Sequence, residues 1–286
     1  MPSYTLIGKI GEGGMGVVYR ALQLPLERPV AVKFLPASLM ARPEALPRFM
    51  REVQICTRLS HPNIIKILDC GEMNGQPFYA MELLEAQTIR QLLKERGRIP
   101  VAQAVEIFHQ VLEALEYCHR EGLIHRDIKP HNIMVDGHNH ATLMDFGLVK
   151  ILDASGLTHS RQILGSPHYM SPEMLRGETV GSQADLFSLG TVVFEMLCGQ
   201  KAFPGKNIRD IGRSILYGEP PGLSSLAPDC PPGLVKVIEG CMKRALEHRY
   251  QTTGEVLRDL NRFEAGGAPR GRTGETGDRP APESPR

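Results

Sequence analysis

The 286-residue sequence carries 33 Lys and Arg against 32 Asp and Glu, a formal net charge of +1, so no overall field draws it to nucleic acid or to an anionic membrane. Its 42% hydrophobic and 23% charged residues fit a packed globular fold and exclude the fibrous and disordered classes. There is no apolar run of about 18 residues to span a bilayer, the start MPSYTLIGKI lacks the basic-then-apolar order of a secretion signal, and six scattered cysteines without a CxxC pair argue against a zinc site or disulfide framework and for a reducing cytoplasm.

Over residues 4–82 the short β-branched segments TLIGKI, VVYRAL and PVAVKFL, broken by Gly and Pro, predict an antiparallel sheet. Between its first two strands, IGEGGMGVVY sets Gly11, Gly13 and Gly16 in a GxGxxGxV arrangement, where missing side chains let backbone amides approach phosphate oxygens. An ordinary glycine-rich hairpin has the same composition. A dinucleotide-binding turn is disfavoured, because this loop leads into a strand rather than a helix and no acidic residue follows at a suitable distance.

In the third segment Lys33 lies among the apolar Val30, Val32 and Phe34, so its ammonium emerges from a mostly buried sheet and needs anionic partners. Phe49, Val53, Cys56 and Leu59 recur at helical spacing and predict one amphipathic helix after that strand. Glu52 on this helix is a candidate carboxylate for Lys33, although the same residue also fits a solvated helix face. Two further strands, IIKILDCG and PFYAMEL, complete the region.

After Glu85 the texture becomes helical, most clearly over residues 101–121, where Val105, Phe108, Leu112 and Leu115 share a face. The stretch LIHRDIKPHNIMV packs an acid, a cation and an amide between apolar segments. Asp127 can take up a proton, Lys129 can neutralise a transferring phosphoryl group, and Asn132 can offer an amide oxygen to a hard metal ion. In ATLMDFGLVK the carboxylate of Asp145 suits Mg²⁺. Further helices are expected over residues 185–197, 234–245 and 253–263, separated by Pro/Gly-rich stretches such as GEPPGLSSLAPDCPPG. From Gly266 the near absence of large apolar residues predicts a flexible tail.

Taken in order, GEGGMGVV, VAVK, Glu52, HRDIKPHN, DFG and SPE resemble the signature of the eukaryotic-type (Hanks-type) serine/threonine protein kinases over residues 4–263, and GSPHYMSPE and RYQTTGEVLRDL look most like the bacterial members. The resemblance implies an α+β, bilobal protein-kinase fold. Residues 1–84 would form a small antiparallel β-sheet lobe with one regulatory helix, residues 85–264 a larger, mainly helical lobe, and residues 265–286 a Pro/Gly/Arg-rich tail.

It further implies that Lys33, held by Glu52, binds the phosphates of ATP while Ile10, Gly11, Glu12, Gly13, Gly14, Met15, Gly16, Val17 and Val18 fold over the nucleotide. Adenine would pair with backbone groups of Glu82 and Leu84 behind Met81, sandwiched by Val18, Ala31 and Met134. Asn132 and Asp145 would hold Mg²⁺, with Mn²⁺ as a substitute, and Asp127 with Lys129 would serve catalysis. Arg126 before Asp127 implies control by phosphorylation of the activation segment, with Thr158 and Ser160 as acceptors. Glu173 with Arg249 and the residue Asp185 look structural.

Ser171, Ser166 and the Glu247–His248 pair depart from the usual pattern without removing a catalytic group, although Ser166 leaves the acceptor preference less defined. The implied partners are proteins with Ser or Thr acceptors and a second copy of the chain for trans-autophosphorylation, with no nucleic acid. A pseudokinase scaffold and a small-molecule phosphotransferase of related fold are the competing readings. Retained Lys33, Asp127, Asn132 and Asp145 weigh against the first; SPE, Arg249 and the long activation segment weigh against the second.

Overall fold

A computed structural model describes residues 3–13, 16–36, 45–145 and 167–271, without the side chains of residues 45–49 and Glu52. Gly14, Met15, Thr158, Ser160 and Ser166 fall outside that description, as does the side chain expected to hold Lys33.

The first five strands, β1 (Ser3–Gly13), β2 (Gly16–Leu24), β3 (Arg28–Phe34), β4 (Ile67–Met73) and β5 (Gln76–Glu82), form one antiparallel sheet in the order β1-β2-β3-β5-β4. Side chains alternate between faces along each strand. Val30, Val32 and Phe34 of β3 therefore pack with Phe78 and Ala80 of β5 in a small outer cluster, whereas Ala31, Tyr79 and Met81 join the main core. Lys33, two residues from Ala31, is turned toward that second face. Helix α1 (Ala45–Cys56) follows β3, as its spacing predicts.

Below the sheet, helices α3 (Val101–Arg120) and α5 (Gln183–Cys198) build the larger lobe. Residues 184–197 of α5 are all buried, including the polar Asp185, Ser188, Thr191 and Glu195, each of which has a hydrogen-bond partner. Gly190 lets this helix lie close against the segment around Cys241, since a Cβ there would lie 2.8 Å from the Cys241 side chain. Helix α9 (Thr253–Glu264) starts at Thr252, whose side chain accepts from Glu255 N, and packs on α3.

Several elements go beyond the sequence reading. A second sheet, β6 (Gln87–Thr88), β7 (Ile133–Val135) and β8 (Ala141–Leu143), frames the HRD loop with strands of two or three residues, too short for a visible alternation. Helix α2 (Ile89–Arg96) is opened by a reciprocal Thr88–Gln91 capping box. Helices α4 (Pro172–Arg176), α6 (Ile208–Tyr217) and α7 (Leu223–Leu226) were likewise not expected; α7 lies within the Pro/Gly-rich stretch read as a separator.

The helix expected over residues 234–245 is α8 (Pro232–Cys241) and ends earlier. Arg249 draws the carbonyl oxygens of Lys243 and Arg244 onto its guanidinium, which takes that backbone out of the helical ladder. The segment expected as a tail also begins with ordered residues, because Asp259 accepts from the amides of Arg270 (3.1 Å) and Gly271 (2.8 Å). Among the described residues no helix is long and apolar enough to cross a membrane.

Candidate active site

The register of the large sheet sets up one side of the site. Gly11 opposes Val18, Val18 opposes Lys33 and Lys33 opposes Tyr79, so four residues on β1, β2, β3 and β5 form one row. Ala31 opposes Met81 in the adjacent row, and both are buried. Val18, Leu84 and Met134 are half-buried, while Ile10 stays exposed.

Gly16 is required where it stands: its φ is +117°, and a Cβ there would lie 1.9 Å from the Phe34 carbonyl oxygen. Gly13 has open space around it, and Gly11 only van der Waals contact with Val18. Gly16 thus pins the start of β2 to the Lys33 strand, whereas Gly13 is clear of side chains.

Lys33 and Asp145, 112 residues apart in the chain, meet with Nζ 2.6 Å from Oδ2. The other carboxylate oxygen of Asp145 accepts from the Tyr79 hydroxyl at 2.6 Å. Burial alone would raise the Asp145 carboxyl, but the Lys33 charge and these hydrogen bonds outweigh it and hold the pKa below the usual range. Asp145 occupies the left-handed region at φ 49°, uncommon for a residue with a side chain.

The lower half of the site is a hydrogen-bonded loop. Lys129 Nζ donates to Asp127 Oδ2 at 2.6 Å, and Asn132 Nδ2 donates to the same oxygen at 2.9 Å and to the Asp127 carbonyl at 2.8 Å. Met144 N donates to the Asn132 carbonyl at 2.8 Å, tying this loop to the strand that delivers Asp145. A cleft beside Asp127 and Lys129 is walled by Tyr169, Met170 and Ser188.

His125 ties the same two segments. Its Nδ1 accepts from Asp127 N at 3.2 Å, which leaves Nε2 to donate to the Met144 carbonyl at 2.9 Å, so these partners select the neutral ring with its proton on Nε2. Complete burial favours the same form and depresses the pKa of His125 against the pull of Asp185. Asp185, fully buried on α5, accepts from His125 N, Arg126 N and His119 Nε2, each at 2.8 Å.

The predicted residues Lys33, Asp127, Lys129, Asn132 and Asp145 therefore converge where the sheet meets the HRD loop. Sequence reasoning missed Tyr79 and the linking role of His125. For Tyr79 the available signal was its position two residues before Met81; only the strand register sets it opposite Lys33.

A five-stranded antiparallel sheet over a helical lobe, with lysine and aspartate joined across their junction, defines the protein-kinase fold, and the chain belongs to the protein kinase family: the family model described as "Protein kinase domain" matches residues 4–259. Within it the chain is similar to bacterial serine/threonine-protein kinases. It is 34% identical to PrkC of Bacillus subtilis over 90% of this chain and 40% of the relative, and 37% identical to PknB of Mycolicibacterium smegmatis over 93% of this chain and 44% of the relative. Among solved structures, the kinase domain of Mycobacterium tuberculosis PknI superposes with a TM-score of 0.72 at 28% identity, covering 90% of this chain and 95% of that one. The chain spans about two fifths of the length of these two curated relatives.

Proposed function

We propose that this chain transfers the γ-phosphoryl group of ATP to Ser or Thr hydroxyls of proteins. The observation that carries this reading is the 2.6 Å contact between Lys33 and Asp145 immediately beside the loop that holds Asp127. One cation, one metal-binding carboxylate and one proton acceptor can then address a single triphosphate and an incoming alcohol.

In this reading the glycine loop lies over the phosphates and Lys33 binds them. Ala31, Val18 and Met134 enclose the base, which pairs with the backbone of Glu82 and Leu84. Asp127 orients the acceptor hydroxyl and takes its proton as the oxygen–phosphorus bond forms and the bond from the γ-phosphorus to the departing ADP oxygen breaks. Lys129, already within hydrogen-bonding distance of Asp127, neutralises charge on the transferring group.

The donor set fits a hard cation: Asp145 offers a carboxylate, and Asn132, its NH₂ committed to Asp127, is left with its amide oxygen. No cluster of three acidic, His or Cys ligands occurs among the described residues, which suits an ion completed by phosphate oxygens and water. Mg²⁺, or Mn²⁺ in its place, would supply charge neutralisation on the phosphates.

Phosphorylation of Thr158 or Ser160, read through Arg126, would regulate the site, a second copy of the chain would be one substrate, and the location would be cytoplasmic. Incubation with labelled ATP and a generic protein substrate tests the proposal. Asp127→Asn should lower transfer by about 10²- to 10⁴-fold while leaving nucleotide affinity nearly unchanged. Transfer by this variant at the parent rate would remove Asp127 from the mechanism, and no transfer by the parent would favour a scaffold.

A further inference from the structure

Tyr79 has no part in the assignments above, yet its hydroxyl reaches Asp145 as closely as the Lys33 ammonium does, each at 2.6 Å. Its side chain is buried in the main core, where a phenylalanine ring would fill the same space. A hydroxyl in such surroundings is unfavourable unless it makes a hydrogen bond, and this one is directed at Asp145.

The two donors grip different oxygens, Lys33 holding Oδ2 and Tyr79 Oδ1. An aspartate carboxylate rotates readily about its last bond, so a single contact leaves its plane loosely set. Two contacts, one on each oxygen, fix it. Because Lys33 and Tyr79 are direct partners across the β3–β5 ladder, the two donors form one rigid fixture. A carboxylate has about four acceptor positions, so two such bonds leave others for a cation.

The function proposed for Lys33 makes these two contacts unequal. Once the ammonium serves the phosphates it is shared between them and Asp145, whereas the phenol has no charge to offer a phosphate and stays with the carboxylate. We propose that Tyr79 is a positioning residue that holds the Asp145 carboxylate to the upper sheet in its cation-binding orientation when Lys33 engages nucleotide. This inference rests on the kinase reading of the site.

The test is calorimetric titration of a non-hydrolysable ATP analogue, with and without Mg²⁺, on the parent chain, Tyr79→Phe and Tyr4→Phe, together with each protein's melting midpoint. Tyr4 is the matched control, since its hydroxyl also bonds a carboxylate in the same sheet, Asp69 Oδ2 at 2.8 Å. Tyr79→Phe should reduce the Mg²⁺-dependent gain in affinity roughly ten-fold, the scale of one hydrogen bond to a charged group, with smaller change in affinity without metal. Tyr4→Phe should shift only the melting midpoint.

If Tyr79→Phe keeps the parent's metal-dependent gain, or both variants reduce it equally, the hydroxyl is structural and the inference fails while the kinase reading stands. If the parent shows no metal-dependent gain, both fail together.

Discussion

Two charge pairs in this molecule, one buried and one partly open, are built to opposite ends. Arg249 and Glu173, both buried, form a bidentate pair with NH1 to Oε1 at 2.8 Å and NH2 to Oε2 at 3.1 Å. The remaining guanidinium hydrogens reach the carbonyls of Lys243, Gln183 and Arg244, so each of the five donors has an acceptor, and the Phe187 ring lies 5.0 Å from the guanidinium carbon. Such a pair is saturated within the protein. Among the described residues the Lys33 ammonium makes one hydrogen bond, to Asp145, whose side chain is still 21% exposed. The comparison separates ion pairs that close a fold from those that keep capacity for a ligand, and saturation tells them apart better than distance does.

The strongest way to break that comparison is to open the closed pair. Glu173→Ala should cost roughly 3–5 kcal/mol of folding stability, measured by thermal or denaturant unfolding, because Arg249 would remain buried without its counter-charge. Glu173→Met combined with Arg249→Leu should recover only part of that loss, because the carbonyls of Lys243, Gln183 and Arg244 lose their donor. If Glu173→Ala melts like the parent, saturation is no guide to stability here.

Lys33→Met probes the open pair and should behave inversely. Transfer should fall about 10²- to 10³-fold, on the scale of removing one preorganised charge-stabilising donor, with a much smaller loss of stability than Glu173→Ala. A melting loss as large as that of Glu173→Ala would place Lys33 with the structural pairs.

Acidification sharpens the comparison further. Burial would raise the Glu173 carboxyl, but Arg249 outweighs it and holds the pKa below 4.5. Its contribution is therefore complete above the unfolded value of 4.5 and is lost as pH falls through the folded one. His125 acts earlier: with its folded pKa lowered from 6.5, the unfolded chain takes up the proton first, so stability declines as pH drops below 6.5 toward the folded value. His61 and His131, also lowered from 6.5 by burial, add to this decline; melting midpoints from pH 7.5 to 3.5 should show both declines, and a flat profile between pH 6.5 and 5 would contradict the neutral His125.

The smallest expected effect lies away from both pairs. Thr88→Ala removes the capping box of α2 and should cost about 1 kcal/mol in unfolding measurements, with little change in nucleotide affinity.

The contrast between legible and hidden features follows sequence range. The large sheet, α1, α3, α5 and α9 were readable because each carries its signal locally, in β-branched segments between Gly and Pro breaks for the sheet and in apolar residues at helical spacing or in a long apolar run for the helices. The second sheet was hidden because β6, β7 and β8 are stabilised by neighbours distant in sequence, with Ile65 N bonded to the Leu143 carbonyl and Leu143 N to the Asn63 carbonyl. Helix α6 was legible but missed: Ile208, Ile211 and Ile215 recur at helical spacing behind the capping residue Asn207, with Gly212 interrupting the pattern. The T-x-x-Q signature of α2 stood in the sequence unread. At the site, motifs located Lys33, Asp127, Asn132 and Asp145, but the cross-strand neighbour Tyr79 became visible only through register.

The ladder from Asp127 through Asn132 and Met144 to Asp145, with His125 as its second rail, has a mechanical consequence. The backbones of Asp127 and Asp145, the proposed proton acceptor and cation ligand, share one stiff chassis. Swinging the sheet over the helical lobe would tug the Asp145 carboxylate through Lys33 and Tyr79 while its backbone stays with the Asp127 loop, so in the proposed kinase breathing of the cleft would turn that carboxylate before it moved the chain that carries it.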